Sequence, residues 1–130
     1  MIIVLLGLIF TISFMENSKS STLTTSGDLT PSQFNQALSS GKYELIDVRT
    51  ADEYNAGHLK NAKQSDFYQT KKFISFLETL DKTGRYLIYC RTGVRSGQAL
   101  KLMQKIGFKI VYDLAGGYNA WISSNLPVEQ

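Results

Sequence analysis

Residues 90–96, Cys-Arg-Thr-Gly-Val-Arg-Ser, include the residue types that nucleophilic chemistry at a cysteine requires. Cys90 is the only cysteine of the chain, and two arginines, Arg91 and Arg95, follow it closely. Where such a segment joins a strand to a helix, its backbone N–H groups and the helix N-terminus converge and attract an anion. Gly93 allows the backbone to approach closely. Because positive potential favours the thiolate, the segment predicts a nucleophilic cysteine that reacts with an anionic substrate.

Each of these residues also has a structural interpretation. A single cysteine at the end of a strand is usually a small buried apolar side chain, although the residues that follow Cys90 weigh against it. Arg95 could form an ion pair instead of binding substrate, with Asp47 at a neighbouring strand end as its partner. One cysteine excludes an internal disulfide, and one cysteine with one histidine cannot form a structural zinc site. We therefore expect neither a metal nor a cofactor.

Length, composition and charge narrow the class of protein. The chain has 130 residues, of which 43% are hydrophobic and 19% charged, as is typical of one globular domain and not of a disordered chain. The formal net charge is +3, and the sequence has no basic tract with interleaved aromatic residues. We therefore expect no nucleic-acid partner, whereas a small anionic substrate is compatible with this composition.

Patterns typical of helices and of strands alternate along the chain, and these elements must position the cysteine. Two capping boxes, each a threonine followed three residues later by glutamine or glutamate, predict helices that begin after Thr30 and Thr50. Apolar residues at helical spacing predict helices at 73–80 and 99–106, and residues 118–123 are predicted as a short helix. The segments predicted as strands are 43–48, 62–67, 85–90 and 110–114, with a further short strand at 23–25.

This alternation predicts an α/β fold, because strands separated by helices pair in parallel through right-handed crossovers. Ligands of such sheets bind beyond the carboxyl ends of the strands. Two predicted strand ends bear polar residues, Asp47-Val48-Arg49 and Cys90-Arg91. The functional site is therefore expected at that edge of the sheet.

Three motifs in this order resemble those of a single-domain rhodanese: IDVRTADEYNAGHLKNA from Ile46, CRTGVRS from Cys90 and YDLAGGYNAW from Tyr112. The resemblance extends over residues 30–127. It implies a rhodanese-like fold, with a parallel sheet of about five strands and helices on both faces. It also implies a sulfurtransferase, whose cysteine takes the sulfane sulfur of thiosulfate as a persulfide while sulfite leaves. A thiophilic acceptor, cyanide or a thiol, then collects the sulfur.

The resemblance also implies roles for individual residues. Cys90 would be the catalytic nucleophile, and Arg91 would meet the sulfonate end of thiosulfate. Asp47 and Arg49 would support the cysteine loop or line the pocket. The residues expected to bind substrate, chiefly through backbone amides, are Arg91, Thr92, Gly93, Val94, Arg95 and Ser96.

Three further matches are expected to be structural. His58, in the Gly-His pair, is expected to be a hydrogen-bonded strut and not a catalytic base. Gly116 and Gly117 would turn the chain, and Trp121 would pack in the core. One departure is that Lys60-Asn61 stands where the family commonly has Pro-Gly, which alters a turn near the pocket.

Two other functions are compatible with a cysteine loop. Phosphatases that share this fold separate the cysteine from its arginine by five residues, whereas four separate Cys90 from Arg95. The shorter loop suits a sulfur atom better than a tetrahedral phosphate. The second alternative is a non-enzymatic persulfide carrier or sensor module that acts with a protein partner.

The N-terminal segment predicts export. Residues 2–14 form an apolar run of 13 residues, which is short for a membrane span and typical of the apolar region of a signal peptide. No basic residue precedes this run and no Ala-x-Ala follows it, so an uncleaved anchor is the alternative. We assign residues 1–21 to a signal peptide or membrane anchor with the start of a linker, and 22–130 to the rhodanese-like domain. An exported or periplasmic location follows, with membrane contact through residues 1–15 if the segment is retained.

Overall fold

Strands and helices alternate through the folded domain, as the sequence predicts. The computed structural model describes residues 26–130, so the predicted N-terminal leader or anchor and the strand predicted at 23–25 lie outside the described residues. In chain order the elements are β1 (Ser26–Leu29), α1 (Pro31–Ser39), β2 (Glu44–Asp47), α2 (Ala51–Ala56), β3 (Lys63–Gln64), α3 (Thr70–Glu78), β4 (Arg85–Tyr89), α4 (Val94–Lys105), β5 (Ile110–Leu114) and α5 (Gly117–Ser123). No helix within 26–130 is long and apolar enough to cross a membrane.

The two capping boxes begin helices where the sequence predicts them. At α1, the Thr30 hydroxyl accepts from the Gln33 amide at 3.2 Å, and the Gln33 side chain accepts from the Thr30 amide at 3.0 Å. At α2, Thr50 and Glu53 repeat this exchange at 3.2 and 3.4 Å. Each box satisfies amides that have no partner within the helix. The box at α2 also fixes Glu53 in the first turn of a short helix, beside the functional site.

The five described strands form one parallel sheet in the order β1-β5-β4-β2-β3. β4, which leads into Cys90, is central, and β2 and β5 flank it. The carboxyl ends of β2 and β5 therefore lie on either side of the strand end that bears the cysteine. This arrangement confirms the predicted α/β fold with a parallel sheet of five strands.

Apolar helix faces cover both sides of the sheet. On one side α3 contributes Phe73 and Leu77, while α4 contributes Ala99 and Met103. On the other side α1 and α5 contribute two large side chains, Phe34 and Trp121, whose rings meet edge to face with centroids 6.1 Å apart. Trp121 is 2% exposed, so its predicted place in the core is confirmed. Cys90 belongs to the cluster on the α3 and α4 side.

The strand predicted at 62–67 is shorter in the structure, where β3 comprises only Lys63 and Gln64. Its partner β2 ends at Asp47, which is in register with Gln64, because the chain then turns towards the cap of α2. Beyond β3 the amides of Ser65 and Phe67 still donate to the carbonyls of residues 47 and 48, at 2.9 and 3.0 Å. The prediction was wrong in length because the pairing partner, and not the strand's own sequence, sets where β3 ends.

Candidate active site

Cys90 lies directly after the central strand and is 1% exposed. Two donors reach its sulfur: the Gly93 amide at 3.1 Å and the Ser96 hydroxyl at 3.3 Å. Gly93 has a φ of 102° and directly precedes α4, a conformation that favours glycine because it has no Cβ. This turn aims the loop amide back at the sulfur. Of the loop amides expected to surround the sulfur, that of Gly93 donates to it, and the Ser96 side chain is an additional donor.

The N-terminus of α5 forms hydrogen bonds with the backbone of the cysteine loop. The amides of Tyr118 and Asn119 donate to the carbonyls of Cys90 and Arg91, at 2.8 and 3.0 Å. This contact requires Gly117, because a Cβ there would lie 2.6 Å from both of those carbonyl oxygens. Gly117 also has a φ of 61°. The sequence predicts the turn at Gly116 and Gly117, whereas the close approach to the loop emerges only from the structure.

Arg95 forms an ion pair with Glu53 and not with Asp47. Its two terminal nitrogens donate to the two carboxylate oxygens of Glu53 at 2.7 and 2.9 Å, and its guanidinium lies 5.0 Å from the centroid of the Tyr68 ring. The hydrogen bond from Arg95 is the main reason that the pKa of Glu53 falls to about 2. The predicted Asp47 partner was wrong because Arg49, two residues away, occupies that carboxylate. The Arg95 side chain thus joins α4 to α2 beside the loop.

Asp47 and Arg49 form a buried pair behind the site, with exposures of 0% and 3%. The Arg49 Nη2 atom lies 2.7 Å from Asp47 Oδ2 and also donates to the Gly57 carbonyl at 2.7 Å. The same carboxylate accepts the hydroxyl of Tyr89, and burial raises the pKa of that phenol above its ordinary value. The Arg49 guanidinium also lies 4.3 Å from the centroid of the Tyr118 ring. The pair therefore links β2 to α5, the helix that holds the cysteine loop.

A cleft of about 250 Å³ opens beside the cysteine loop. Arg91 is exposed in it, and no carboxylate among residues 26–130 forms an ion pair with this arginine. That this guanidinium meets the sulfonate end of thiosulfate stays a prediction. The residues that line the cleft are Arg49, Glu53, Ala56, Gly57, Arg91, Tyr118 and Asn119.

The remaining predicted residues divide into exposed and structural ones. Thr92, on the loop, and Val94, the first residue of α4, are exposed, Val94 at 66%. His58 has the geometry of the predicted strut: its Nδ1 atom lies 3.0 Å from the Tyr54 carbonyl oxygen, and its ring stacks on that tyrosine at 3.8 Å. Its backbone pairs with Glu129 in an antiparallel bridge.

Sequence reasoning missed Asp113, the fourth residue of β5. Its side chain is 3% exposed and lies on the α4 side of the sheet, where its Oδ2 atom faces Gly97. The only signal in the sequence is an aspartate within an otherwise uncharged strand, Ile-Val-Tyr-Asp-Leu. Nothing in that signal indicates that the carboxyl is buried against α4.

Fold and site together define a parallel α/β protein with a buried cysteine in the loop that joins the central strand to α4. Residues 30–124 match the family model described as a rhodanese-like domain. The chain therefore belongs to the rhodanese-like family, as its motifs predict.

Curated relatives differ in how much of their length the chain spans. Rhodanese-like domain-containing protein 17 of Arabidopsis thaliana is 32% identical over 108 residues, 75% of this chain and 69% of that protein. Thiosulfate sulfurtransferase GlpE of Vibrio cholerae serotype O1 is 31% identical over 85 residues, 65% of this chain and 77% of that protein. The tRNA uridine(34) hydroxylase of Pelagibacter ubique is 32% identical over 87 residues, 67% of this chain, but the chain spans only 29% of its length.

A solved structure supports the same fold. A rhodanese-like domain protein from Staphylococcus aureus matches with a TM-score of 0.67 at 26% identity, covering 80% of this chain and 99% of that one.

Proposed function

We propose that the protein is a sulfurtransferase that moves the sulfane sulfur of thiosulfate, or of a related persulfide donor, through a persulfide on Cys90 to a thiophilic acceptor. The Cys90 thiolate attacks the outer sulfur of thiosulfate, a new S–S bond forms, and the electron pair of the old S–S bond leaves with sulfite. An acceptor such as cyanide or a thiol then attacks the outer sulfur of the persulfide and returns the thiolate.

The observation that carries this proposal is the pair of donors on the sulfur of Cys90, from Gly93 and Ser96 at 3.1 and 3.3 Å. Hydrogen bonds to an anion favour the charged form, and a thiolate is the nucleophile that this reaction requires. Arg91 in the adjoining cleft supplies a cation for the sulfonate end of thiosulfate. The similarity to a relative named thiosulfate sulfurtransferase supports the same reaction.

The geometry disfavours the phosphatase alternative. The arginine of a phosphatase loop must direct its guanidinium at the phosphate, whereas both terminal nitrogens of Arg95 are bonded to Glu53. The carrier or sensor alternative shares the persulfide and differs only in turnover.

Mass spectrometry after incubation with thiosulfate tests the first half-reaction. We expect the intact protein to gain the mass of one sulfur atom, located on Cys90, and Cys90→Ser to gain none. A wild-type protein that gains no sulfur would contradict the proposal. Turnover with thiosulfate and cyanide then separates the two remaining functions, because a carrier would form the persulfide without repeated cycles.

We propose in addition that residues 1–21 direct the protein out of the cytoplasm, on the basis of the apolar run at 2–14. The test is to express the full chain in its host, fractionate the cells and sequence the N-terminus of the product. A shortened product outside the cytoplasm supports cleavage, and an intact one in the membrane fraction supports an anchor. A cytoplasmic product that still begins with Met1 would contradict both.

A further inference from the structure

Exposed cations cluster at the end of the sheet where the strands begin, opposite Cys90. Lys42 and Arg85 line one groove beside the starts of β2 and β4. Lys109 directly precedes β5, whose first residue is in register with Arg85. We call the surface at this end the basic face, and it is formed by five exposed side chains: Lys42, Lys82, Arg85, Lys105 and Lys109.

The other two members of the basic face lie where α3 and α4 return to the start of the sheet. Lys105 is the last residue of α4, which runs back from the cysteine loop. Lys82 precedes β4, and its Cδ atom lies 3.6 Å from where a Cβ on Gly107 would stand, just after α4. None of the five cations forms an ion pair with a carboxylate among residues 26–130.

Carboxylates are fewer at this end of the sheet. The Glu44 carboxylate lies 3.6 Å from the Nζ atom of Lys63 on β3. Asp81 accepts from the amide and the hydroxyl of Thr83 at 2.9 and 2.7 Å, and the exposed Glu78 ends α3. The basic face therefore retains an excess of positive charge, which attracts a surface that bears many negative charges.

The N-terminal segment joins the domain on the same face. Strand β1 begins at Ser26, whose hydroxyl donates to the carbonyl of Lys109 at 3.3 Å. Only residues 15–25 separate Ser26 from the apolar run at 2–14, and a chain of that length spans at most about 40 Å. If the apolar run is retained in a bilayer, this short connection keeps the basic face within reach of the lipid headgroups.

We propose that the basic face binds the anionic headgroups of a phospholipid bilayer, so that Cys90 is directed away from the membrane. Cys90 follows β4, about 17 Å along the strand direction from Arg85. Each Lys or Arg near an anionic bilayer strengthens binding roughly fivefold, and attachment through the N-terminal segment raises the local concentration of the face at the bilayer. The inference rests on the proposed targeting by residues 1–21 and not on the chemistry of Cys90.

Nucleic acid is the other extended anionic partner, and the basic face fits it less well. Proteins that bind single strands stack the bases on aromatic side chains. Tyr68 is the only exposed aromatic side chain among residues 26–130, and it precedes α3 at the opposite end of the sheet. A bilayer needs charge alone, which is what the basic face supplies.

Acetylation of lysines by an N-hydroxysuccinimide ester, measured for each lysine by mass spectrometry, tests the proposal on the full wild-type chain. The protein is reconstituted with vesicles of phosphatidylcholine alone, or with mixed vesicles that also contain phosphatidylglycerol. Acetylation of the four lysines of the basic face should slow severalfold on the mixed vesicles. Lys71 and Lys72, exposed at the start of α3 on the opposite end, should react equally on both.

High salt should remove this protection, because the screening length falls to about 3 Å at 1 M. Equal acetylation of the basic face on both kinds of vesicle would overturn the proposal. Protection of Lys71 and Lys72 in its place would do the same, since the opposite end of the sheet would then face the lipid.

Paired substitutions separate a defined face from the net charge of the protein. Lys42→Gln with Lys109→Gln should restore most of the acetylation rate of Lys82 and Lys105 on mixed vesicles. Lys71→Gln with Lys72→Gln removes the same charge from the opposite end and should leave the protection intact. An equal loss of protection in both variants would show that net charge alone attracts the protein, and the basic face would be rejected.

A single-stranded oligothymidine in place of the vesicles tests the nucleic-acid alternative. Stronger protection of the basic face by the oligonucleotide than by mixed vesicles would assign the face to nucleic acid and overturn the proposal. A failed footprint with intact sulfur transfer and export would reject this inference alone. The footprint described above in a protein without sulfur transfer would reject the proposed function alone.

Discussion

Two carboxyl groups on opposite sides of the cysteine loop have opposite pKa shifts. Glu53, on α2, has its pKa lowered to about 2, chiefly by the hydrogen bond from Arg95. Asp113, on β5, has its pKa raised to about 7, chiefly by burial. Glu53 has a cationic partner and partial access to solvent, while Asp113 has neither. The partner and the degree of burial, and not the chemistry of the carboxyl itself, decide the charge on each side.

The two sides of Cys90 also differ in the kind of contact that they provide. On the α2 side, ion pairs fix the elements: Arg95 with Glu53, and Arg49 with Asp47. On the α4 side, a neutral hydroxyl of Ser96 donates to the sulfur. Two ion pairs therefore lie on one side of the cysteine and a neutral hydrogen bond on the other. Substitutions on the two sides should have separable effects on stability and on turnover.

Cys90→Ser should have the largest effect, because it removes the atom that both sides position. The volumes are similar, so the fold should be retained, while thiosulfate:cyanide turnover should be lost entirely. Circular dichroism and thermal unfolding serve as the control for folding. Turnover at the wild-type rate in Cys90→Ser would show that the nucleophile lies elsewhere.

Gly117→Ala should be the most destabilising substitution beneath the loop. A Cβ would meet the carbonyl oxygens of Cys90 and Arg91 at 2.6 Å, and a φ of 61° adds strain. We expect a loss of about 3 kcal/mol or more in the free energy of unfolding, together with loss of turnover. Gly41→Ala is the matched control, since Gly41 has a φ of 69° but no atom within 4 Å of a built Cβ.

Denaturant unfolding of the two glycine variants separates strain from collision. Gly41→Ala should cost only the strain of the left-handed conformation, about 1–2 kcal/mol. If Gly117→Ala costs no more than Gly41→Ala, then α5 and the cysteine loop are not in the rigid contact described above.

The sequence predicts the fold well because its signals are local. The capping boxes at Thr30 and Thr50, the strand before Cys90 and the glycine pair at the start of α5 each depend on neighbours within a few residues. Local patterns also predicted the nucleophile, since the residues of the loop are contiguous. The length of β3 was not predictable in this way, because it depends on where β2 ends.

The partners of the site residues were less predictable, because they lie far apart in the chain. Arg95 and Glu53 are 42 residues apart, and no local pattern favoured Glu53 over Asp47. The burial of Asp113 was missed for the same reason, since it depends on how α4 packs against β5. The charge pairs of the site thus depend on contacts in the folded structure, which the spacing of residues along the sequence does not predict.

Asp113→Asn should make the protein more stable around neutral pH. In the wild type, the pKa of Asp113 rises from an ordinary 3.8 to about 7 in the folded state. The folded protein therefore holds a proton that the unfolded chain releases. Wild-type stability should therefore fall as the pH rises from 3.8 to about 7. The variant has no such group and should lack that fall, which urea unfolding at a series of pH values measures. An identical pH dependence in both proteins would contradict the assigned burial of the charge.

The Arg95–Glu53 pair should show the opposite dependence on pH. The pKa of Glu53 falls from an ordinary 4.5 to about 2 on folding, so the stability it confers is complete above 4.5 and lost as the pH falls through about 2. Arg95→Ala should reduce the free energy of unfolding at neutral pH by about 1–3 kcal/mol and lower turnover with it. Glu53→Gln should abolish this loss of stability at acid pH. Equal melting temperatures for the wild type and Arg95→Ala would contradict a supporting role for this arginine.

Arg91→Ala should have the smallest effect on stability, because Arg91 is exposed and has no ion-pair partner among residues 26–130. Its guanidinium lines the cleft beside the loop, so the KM for thiosulfate should rise roughly tenfold while kcat changes little. Arg85→Ala is the matched control, since it removes the same charge from the exposed start of β4, at the opposite end of that strand. If both variants raise KM equally, the net charge of the protein attracts the donor and Arg91 does not bind it. If Arg91→Ala lowers kcat and leaves KM unchanged, the arginine stabilises the departing sulfite instead of the bound thiosulfate.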